Sequence, residues 1–263
     1  MSELEFLGAL HVELLRHREL AHEHPRHELF QTSTVQALLA GAFDGDVTLG
    51  ELLDNGDLGL GTLDGLDGEL IVLDGQAWKA RVDGCLTRPA LSCRTPYAVV
   101  VPFAGGRPVP LRGPFGEADL EDRLSHRIDV AKRPTAIRID GRFERVQVRS
   151  VPKQSRPYPS LAQAIAQQQV TELVDVSGSM VGFRFPDALD GIEMAGAHLH
   201  FVTDDRVRGG HVVSYTVLEA TAYLDDANEL HVELPPAVDT PPTGAVLDAG
   251  LMRRLEGGGP TED

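Results

Sequence analysis

Cysteine, positive charge and long apolar runs are all scarce in this sequence. It holds two cysteines, Cys85 and Cys93, in 263 residues. Two thiols exclude a disulfide framework and a cysteine-rich zinc site, and both read as small, half-buried residues. Lysine and arginine total 24 against 40 aspartates and glutamates, a formal net charge of −16. That balance opposes general nucleic-acid binding, which needs a basic footprint, and docking on anionic lipid. No apolar run approaches the roughly 18 residues of a membrane span. The start, Met1-Ser2-Glu3-Leu4-Glu5, is acidic where a secretory signal is basic. The expectation is a soluble, cytoplasmic protein with no nucleic-acid or membrane partner. Internal repeats are absent too. The glycine spacing from Gly59 to Gly68 fits neither a dinucleotide fingerprint nor a calcium loop.

What is present is the composition of a globular chain, 42% hydrophobic and 24% charged, with length for one large or two small domains. Leu4, Leu7, Leu10, Val12, Leu15 and Leu20 recur mostly at helical spacing, predicting a helix over 3–22 that ends before Pro25. A short strand, a Ser/Thr cap and a helix follow over 29–39, then a short helix over 47–53 with Thr48 as its cap. Residues 70–80 read as a hairpin turning at Asp74-Gly75, and 136–150 as another turning at Asp140-Gly141. Residues 97–103 read as a buried strand and 120–128 as a helix. A proline-rich connection over 151–159 leads to a helix capped by Ser160 and running to about Gln169. Strands are expected over 171–184, 195–203, 211–221 and 228–234, and a weak helix near 247–256. Helices and strands do not alternate strictly, so an α+β (mixed α/β) fold with two sheet-containing domains and flanking helices is expected. The expected divisions are a helical extension over 1–27, a mixed domain over 28–150, a β-rich metal-binding domain over 151–234 and a Pro/Gly-rich tail over 235–263 reaching toward the active site.

Three of the ten histidines stand in an informative pattern: His198-Leu199-His200-Phe201, then Gly209-Gly210-His211. Residues two apart on a strand share a face, so His198 and His200 project together and Leu199 and Phe201 turn to a core. Residues 203–210 are turn-like, and an antiparallel return brings His211 opposite the pair. Three converging imidazoles leave a zinc ion with open positions, the mark of a catalytic site. Iron, manganese, nickel and copper suit the same ligands, and the alternative is three strand histidines with ordinary hydrogen bonds. His22, His24 and His27 also cluster, but among charges and with no strand to hold them, so they read as a solvated segment. His11, His17, His126 and His231 read as surface or capping residues. Glu69 opens an apolar strand and is either at a solvent-facing end or aimed into a site. Arg149 ends a strand just before Val151-Pro152, as a rim charge or as a two-pronged clamp for an anion.

These stretches together resemble the α-acetolactate decarboxylase family. The matching segments are Leu29-Phe30-Gln31-Thr32-Ser33-Thr34, Gly59-Leu60-Gly61-Thr62, Leu66-Asp67-Gly68-Glu69-Leu70, Arg149-Ser150-Val151-Pro152-Lys153-Gln154 and Pro157-Tyr158-Pro159. They continue through Val181-Gly182-Phe183, His198-Leu199-His200-Phe201, Asp205-Arg206 and Gly209-Gly210-His211-Val212. The resemblance implies a two-domain enzyme, usually a homodimer, converting (S)-2-acetolactate to (R)-acetoin and carbon dioxide in the butanediol branch of pyruvate metabolism. It implies a zinc ion on His198, His200 and His211, an active-site acid at Glu69, an arginine at Arg149 and a site-lining threonine at Thr62. It also implies a C-terminal glutamate near the metal, for which Glu256 is the candidate. Two competing readings stand beside it. One is another three-histidine metal enzyme, an oxygenase or hydrolase, for which Asp204 or Asp205 would supply a further carboxylate. The other is a metal-stabilised binding domain without turnover.

Overall fold

The computed structural model describes residues 27–124 and 133–234. The expected helix over 3–22, the tail with its weak helix, and His11, His17, His22, His24, His126 and Glu256 all lie outside the described residues. In chain order the elements are β1 (Glu28–Thr32), α1 (Val35–Leu39), β2 (Val47–Thr48), α2 (Leu49–Leu53), β3 (Leu58–Thr62), β4 (Glu69–Leu73), β5 (Gln76–Ala80) and β6 (Leu86–Thr87). Then come β7 (Arg94–Thr95), β8 (Tyr97–Val101), β9 (Val109–Phe115), α3 (Glu117–Leu124), β10 (Thr135–Ser150) and α4 (Leu161–Ile165). The last are β11 (Gln169–Phe185), β12 (Gly196–Thr203), β13 (Gly209–Asp226) and β14 (Glu229–Glu233).

One sheet has seven strands in the order β14-β1-β8-β3-β4-β5-β6. Its middle strands are apolar along most of their length because both faces are covered. On β4, Ile71 and Leu73 enter the core shared with the second sheet, while Leu70 and Val72 pack against Leu49 and Leu52 of α2. Thr34, Thr48 and Ser160 cap α1, α2 and α4 as their positions predict, the last two through reciprocal capping boxes. The 70–80 hairpin turns at Asp74 and Gly75, both with positive φ, as a two-residue primed turn requires.

The second sheet runs β10-β11-β12-β13-β9, and β10 also pairs β13, so four of its strands close on themselves. Closure removes free edges from most of their length. Phe143 and Phe201 meet edge to face inside, with ring centroids 5.4 Å apart. The outer face of this closed sheet carries Val181, Phe183 and Val202 against Leu60, Ile71 and Val99 of the first sheet. Each such side chain, fully buried, contributes about 1.5–3 kcal/mol of transfer free energy.

Five expectations are corrected here. Residues 136–150 are one strand, not a hairpin. A Cβ on Gly141 would lie 2.4 Å from the Ala220 Cβ, so this glycine permits close strand approach rather than a turn, and Asp140 accepts from the Arg138 Nε at 2.8 Å. The helix after Ser160 stops at Ile165, because Gln169 is already paired with Ser150. Sheet membership does not part at residue 150: β9 and β10 join β11–β13, and β14 returns to lie parallel to β1. His27 is not in a loose charged segment; its Nδ1 lies 2.7 Å from the Asp225 Oδ1. The helix expected at 120–128 begins earlier, at Glu117, and is described to Leu124.

Candidate metal centre and active site

Strand alternation sets the histidines. On β12, His198 and His200 share the face that looks toward the first sheet, and Leu199 and Phe201 enter the interior of the second. The chain reverses at 203–208, where the Thr203 hydroxyl accepts from the Arg208 N–H at 3.0 Å. β13 then returns antiparallel and places His211 directly opposite His200. The two glycines before His211 make this possible. A Cβ on Gly209 would lie 2.4 Å from the Phe201 carbonyl oxygen, and one on Gly210 2.8 Å from the Arg149 carbonyl oxygen.

The three rings are buried, at 8%, 1% and 3% exposure for His198, His200 and His211. One ligating atom from each lies within 4.8 Å of the others. The His198 Nε2 and His211 Nδ1 are 3.1 Å apart. His200 Nδ1 donates to the Leu70 carbonyl at 2.8 Å. That bond leaves the lone pair on Nε2, which is buried and has no hydrogen-bond partner among the described residues. Burial holds His200 well below the usual histidine range; the neighbouring His198 and Arg149 push the same way, and the Leu70 carbonyl opposes them. A neutral imidazole with an aimed lone pair is what a divalent cation needs. The donor set fits zinc and its neighbours in the first transition row.

Around the histidines the two sheets supply the other polar groups. Glu69 opens β4, with 12% of its side chain exposed, and its Oε2 stands 3.7 Å from His200 Nε2. Thr62 lies opposite Glu69 on β3, and its hydroxyl donates to the Gly68 carbonyl at 2.8 Å. Arg149, at 4% exposure, ends β10 in register with His211. Glu69 and Arg149 therefore line the cavity rather than the outer surface. All six residues line one cavity. Val35 and Leu38 of α1, Leu161 and Ile165 of α4, Leu66, Val151 and Met194 form its apolar wall. The Gln154 N–H donates to the Gly65 carbonyl at 2.6 Å, tying the end of the 149–154 segment to the residue just before the 66–70 segment.

Asp204 and Asp205 are exposed in the 203–208 turn. The Asp205 carboxylate accepts from the Thr203 hydroxyl and the Val207 N–H. The carboxylate beside the histidines is Glu69, from the other sheet. His231 stacks on Phe30 with ring centroids 5.3 Å apart, away from this cluster. The sequence reading missed Tyr97, which lines the cavity, and Glu193, whose carboxylate meets the Tyr97 hydroxyl. No periodic pattern marks either as a site residue.

The family model described as alpha-acetolactate decarboxylase matches residues 29–240 of this chain. The chain is 38% identical over 228 residues to an alpha-acetolactate decarboxylase of Methanosarcina mazei, covering 87% of this chain and 78% of that protein. It is 36% identical over 233 residues to one of Methylococcus capsulatus, with 89% and 87% covered. The crystal structure of alpha-acetolactate decarboxylase from Bacillus subtilis superposes with a TM-score of 0.83 at 32% identity, covering 88% of this chain and 99% of that one.

Proposed function

The chain belongs to the alpha-acetolactate decarboxylase family and is a carboxy-lyase, and from that premise we propose that it converts (S)-2-acetolactate to (R)-acetoin and carbon dioxide at the three-histidine cavity. The observation that carries this reading is the convergence of three buried imidazoles, one carboxylate and one guanidinium in a cavity otherwise walled by aliphatic side chains. His198, His200 and His211 would hold a divalent cation, taken to be zinc, which supplies Lewis-acid stabilisation of negative charge developing on substrate oxygen.

The chain's own residues divide the remaining work. Acetolactate carries its carboxylate on a carbon that also bears a hydroxyl and adjoins a ketone. Arg149 binds that carboxylate in two-pronged fashion and orients it before it departs. Loss of carbon dioxide leaves an electron pair on an enediolate, which needs a proton on one face to become a single acetoin enantiomer. Glu69 holds and delivers that proton at its carboxylate oxygen. Thr62 contributes to the wall next to Glu69. The aliphatic side chains of α1 and α4 exclude water and receive the methyl groups. Glu256 is the proposed C-terminal contributor. A homodimer is the proposed assembly. Among the described residues no helix is long and apolar enough to cross a membrane.

The test is release of acetoin and carbon dioxide from racemic acetolactate by the protein as purified, after chelation and after zinc is restored. Metal-dependent turnover giving one acetoin enantiomer is the expected result. No turnover from a sample with one bound metal per chain overturns the reading, and oxygen uptake by that sample would identify an oxygenase instead.

A further inference from the structure

A second acid, unused by the proposed mechanism, lies behind the cavity wall. Glu193 follows the short turn 187–189 and has no exposed surface. Its Oε2 meets the Tyr97 hydroxyl oxygen at 2.5 Å. Its Oε1 is buried with no hydrogen-bond partner among the described residues. The peptide that leads into Glu193 is anchored at both its N–H and its carbonyl. The Glu193 N–H donates to the Leu189 carbonyl at 2.9 Å, and Gln31 Nε2 on β1 donates to the Ile192 carbonyl at 2.9 Å. Tyr97 opens β8 in register with Thr62 and lines the cavity of the three histidines.

The contact between these two oxygens has two possible arrangements. If residue 193 is a carboxylate, the phenol donates to it and turns lone pairs to the cavity. If it is the acid, its proton belongs on Oε2, because Oε1 has no acceptor to meet. The acid then donates to the phenol oxygen, and the phenol hydrogen turns to the cavity. Burial favours the acid. It pushes the Glu193 carboxyl up to about 8, against the lowering influence of the Tyr97 hydroxyl and the nearby Met194 N–H. The other titratable groups near it are Asp190, bridged to it along its own loop, and, beyond Tyr97, those of the cavity.

We propose that Glu193 is a positioning residue that, as the neutral acid, turns the Tyr97 O–H into the cavity as a donor to negatively charged substrate oxygen. This rests on the decarboxylase reading of the cavity. A hydroxyl that already accepts from an acid is a stronger donor in turn. A fixed donor in a water-poor site is worth most where negative charge develops. The substrate carboxylate and the enediolate oxygens are both acceptors of that kind. Ionising Glu193 swings the phenol back and withdraws the donor.

The experiment compares the zinc-loaded wild type, Glu193→Gln and Tyr97→Phe from about pH 6 to pH 10. It follows kcat/KM for acetolactate and, separately, the infrared carbonyl band of a protonated carboxyl group. Wild type is expected to lose activity with a midpoint near 8 as the band disappears. Glu193→Gln, whose amide N–H still donates to the phenol, is expected to lack both that limb and the band. Tyr97→Phe is expected to fall roughly 10-fold or more in kcat/KM at pH 7 and to lack the limb. An unchanged limb in Glu193→Gln, full activity in Tyr97→Phe, or no Glu193 band at pH 7 overturns the proposal. The infrared band needs no turnover, so a wild type that carries it without decarboxylating acetolactate sinks the functional reading and not the assignment of Glu193 as an acid.

Discussion

Glu69 and Arg149 reach the cavity from different sheets, and the chemistry asked of them differs in what substitution should remove. Glu69→Gln keeps the shape and removes the exchangeable proton. The expected loss is about 10²–10⁴-fold in kcat, with erosion of the enantiomeric purity of acetoin, read by steady-state kinetics and chiral chromatography. Full rate with full stereoselectivity would remove Glu69 from acid–base work. Arg149→Lys keeps the charge but not the planar fork, and kcat/KM should fall about 10–100-fold, the worth of a charge-assisted pair. The histidines were legible in the sequence because strand period and a Gly-Gly-His return determine which way they face. Glu69 and Arg149 were legible as candidates only, since a charge at a strand end faces solvent or cavity according to what packs above it. Tyr97 and Glu193 were not legible. Glu193 sits in an irregular loop, and its burial comes from packing between β1 and β8 rather than from any local pattern.

Two Asp-Gly pairs show how an element's surroundings overrule its local chemistry. Asp74-Gly75 turns the chain, with both residues at positive φ. Asp140-Gly141 carries the same dipeptide and stays extended, because β10 is paired along both edges, to β11 and to β13. Gly141→Ala should destabilise by about 1–3 kcal/mol through overpacking against Ala220 and the Glu219 carbonyl, measured by denaturant unfolding. The small helix α4 is a different case. It is five residues long and depends on its capping box at Ser160 and Gln163, yet it carries Leu161 and Ile165 into the cavity wall. Ser160→Ala should cost about 1 kcal/mol of local stability and appear as a raised KM with kcat little changed.

At the scale of the whole molecule, metal and proton binding both couple to folding. A cation held, as proposed, by three residues from β12 and β13 would bind the folded chain far better than the unfolded one. At about 100 times its Kd it adds roughly 2.7 kcal/mol, so chelation should lower the thermal midpoint by about 5–10 °C. His200→Ala should abolish that shift in differential scanning calorimetry. Glu193 works through protons. Its folded carboxyl titrates at about 8 against a usual value of 4.5, so its contribution to stability is fully present below the lower value. It is lost as pH rises through the upper one, by at most about 1.4 kcal/mol per pH unit. Glu193→Gln should therefore gain thermal stability relative to wild type on going from about pH 5 to pH 9.

The sequence alone determined the local elements: the caps at Thr34, Thr48 and Ser160, the Asp74-Gly75 hairpin, and a strand pair presenting three imidazoles on one face. These follow from side-chain period and backbone preference over a few residues. Only the tertiary structure decided that β10 runs unbroken, that β14 rejoins β1, and that Glu69, Thr62 and Tyr97 form a row opposite the histidines. Those outcomes depend on which strands find each other across long stretches of chain. The free energy of closing and covering a sheet is shared among partners that no short segment contains.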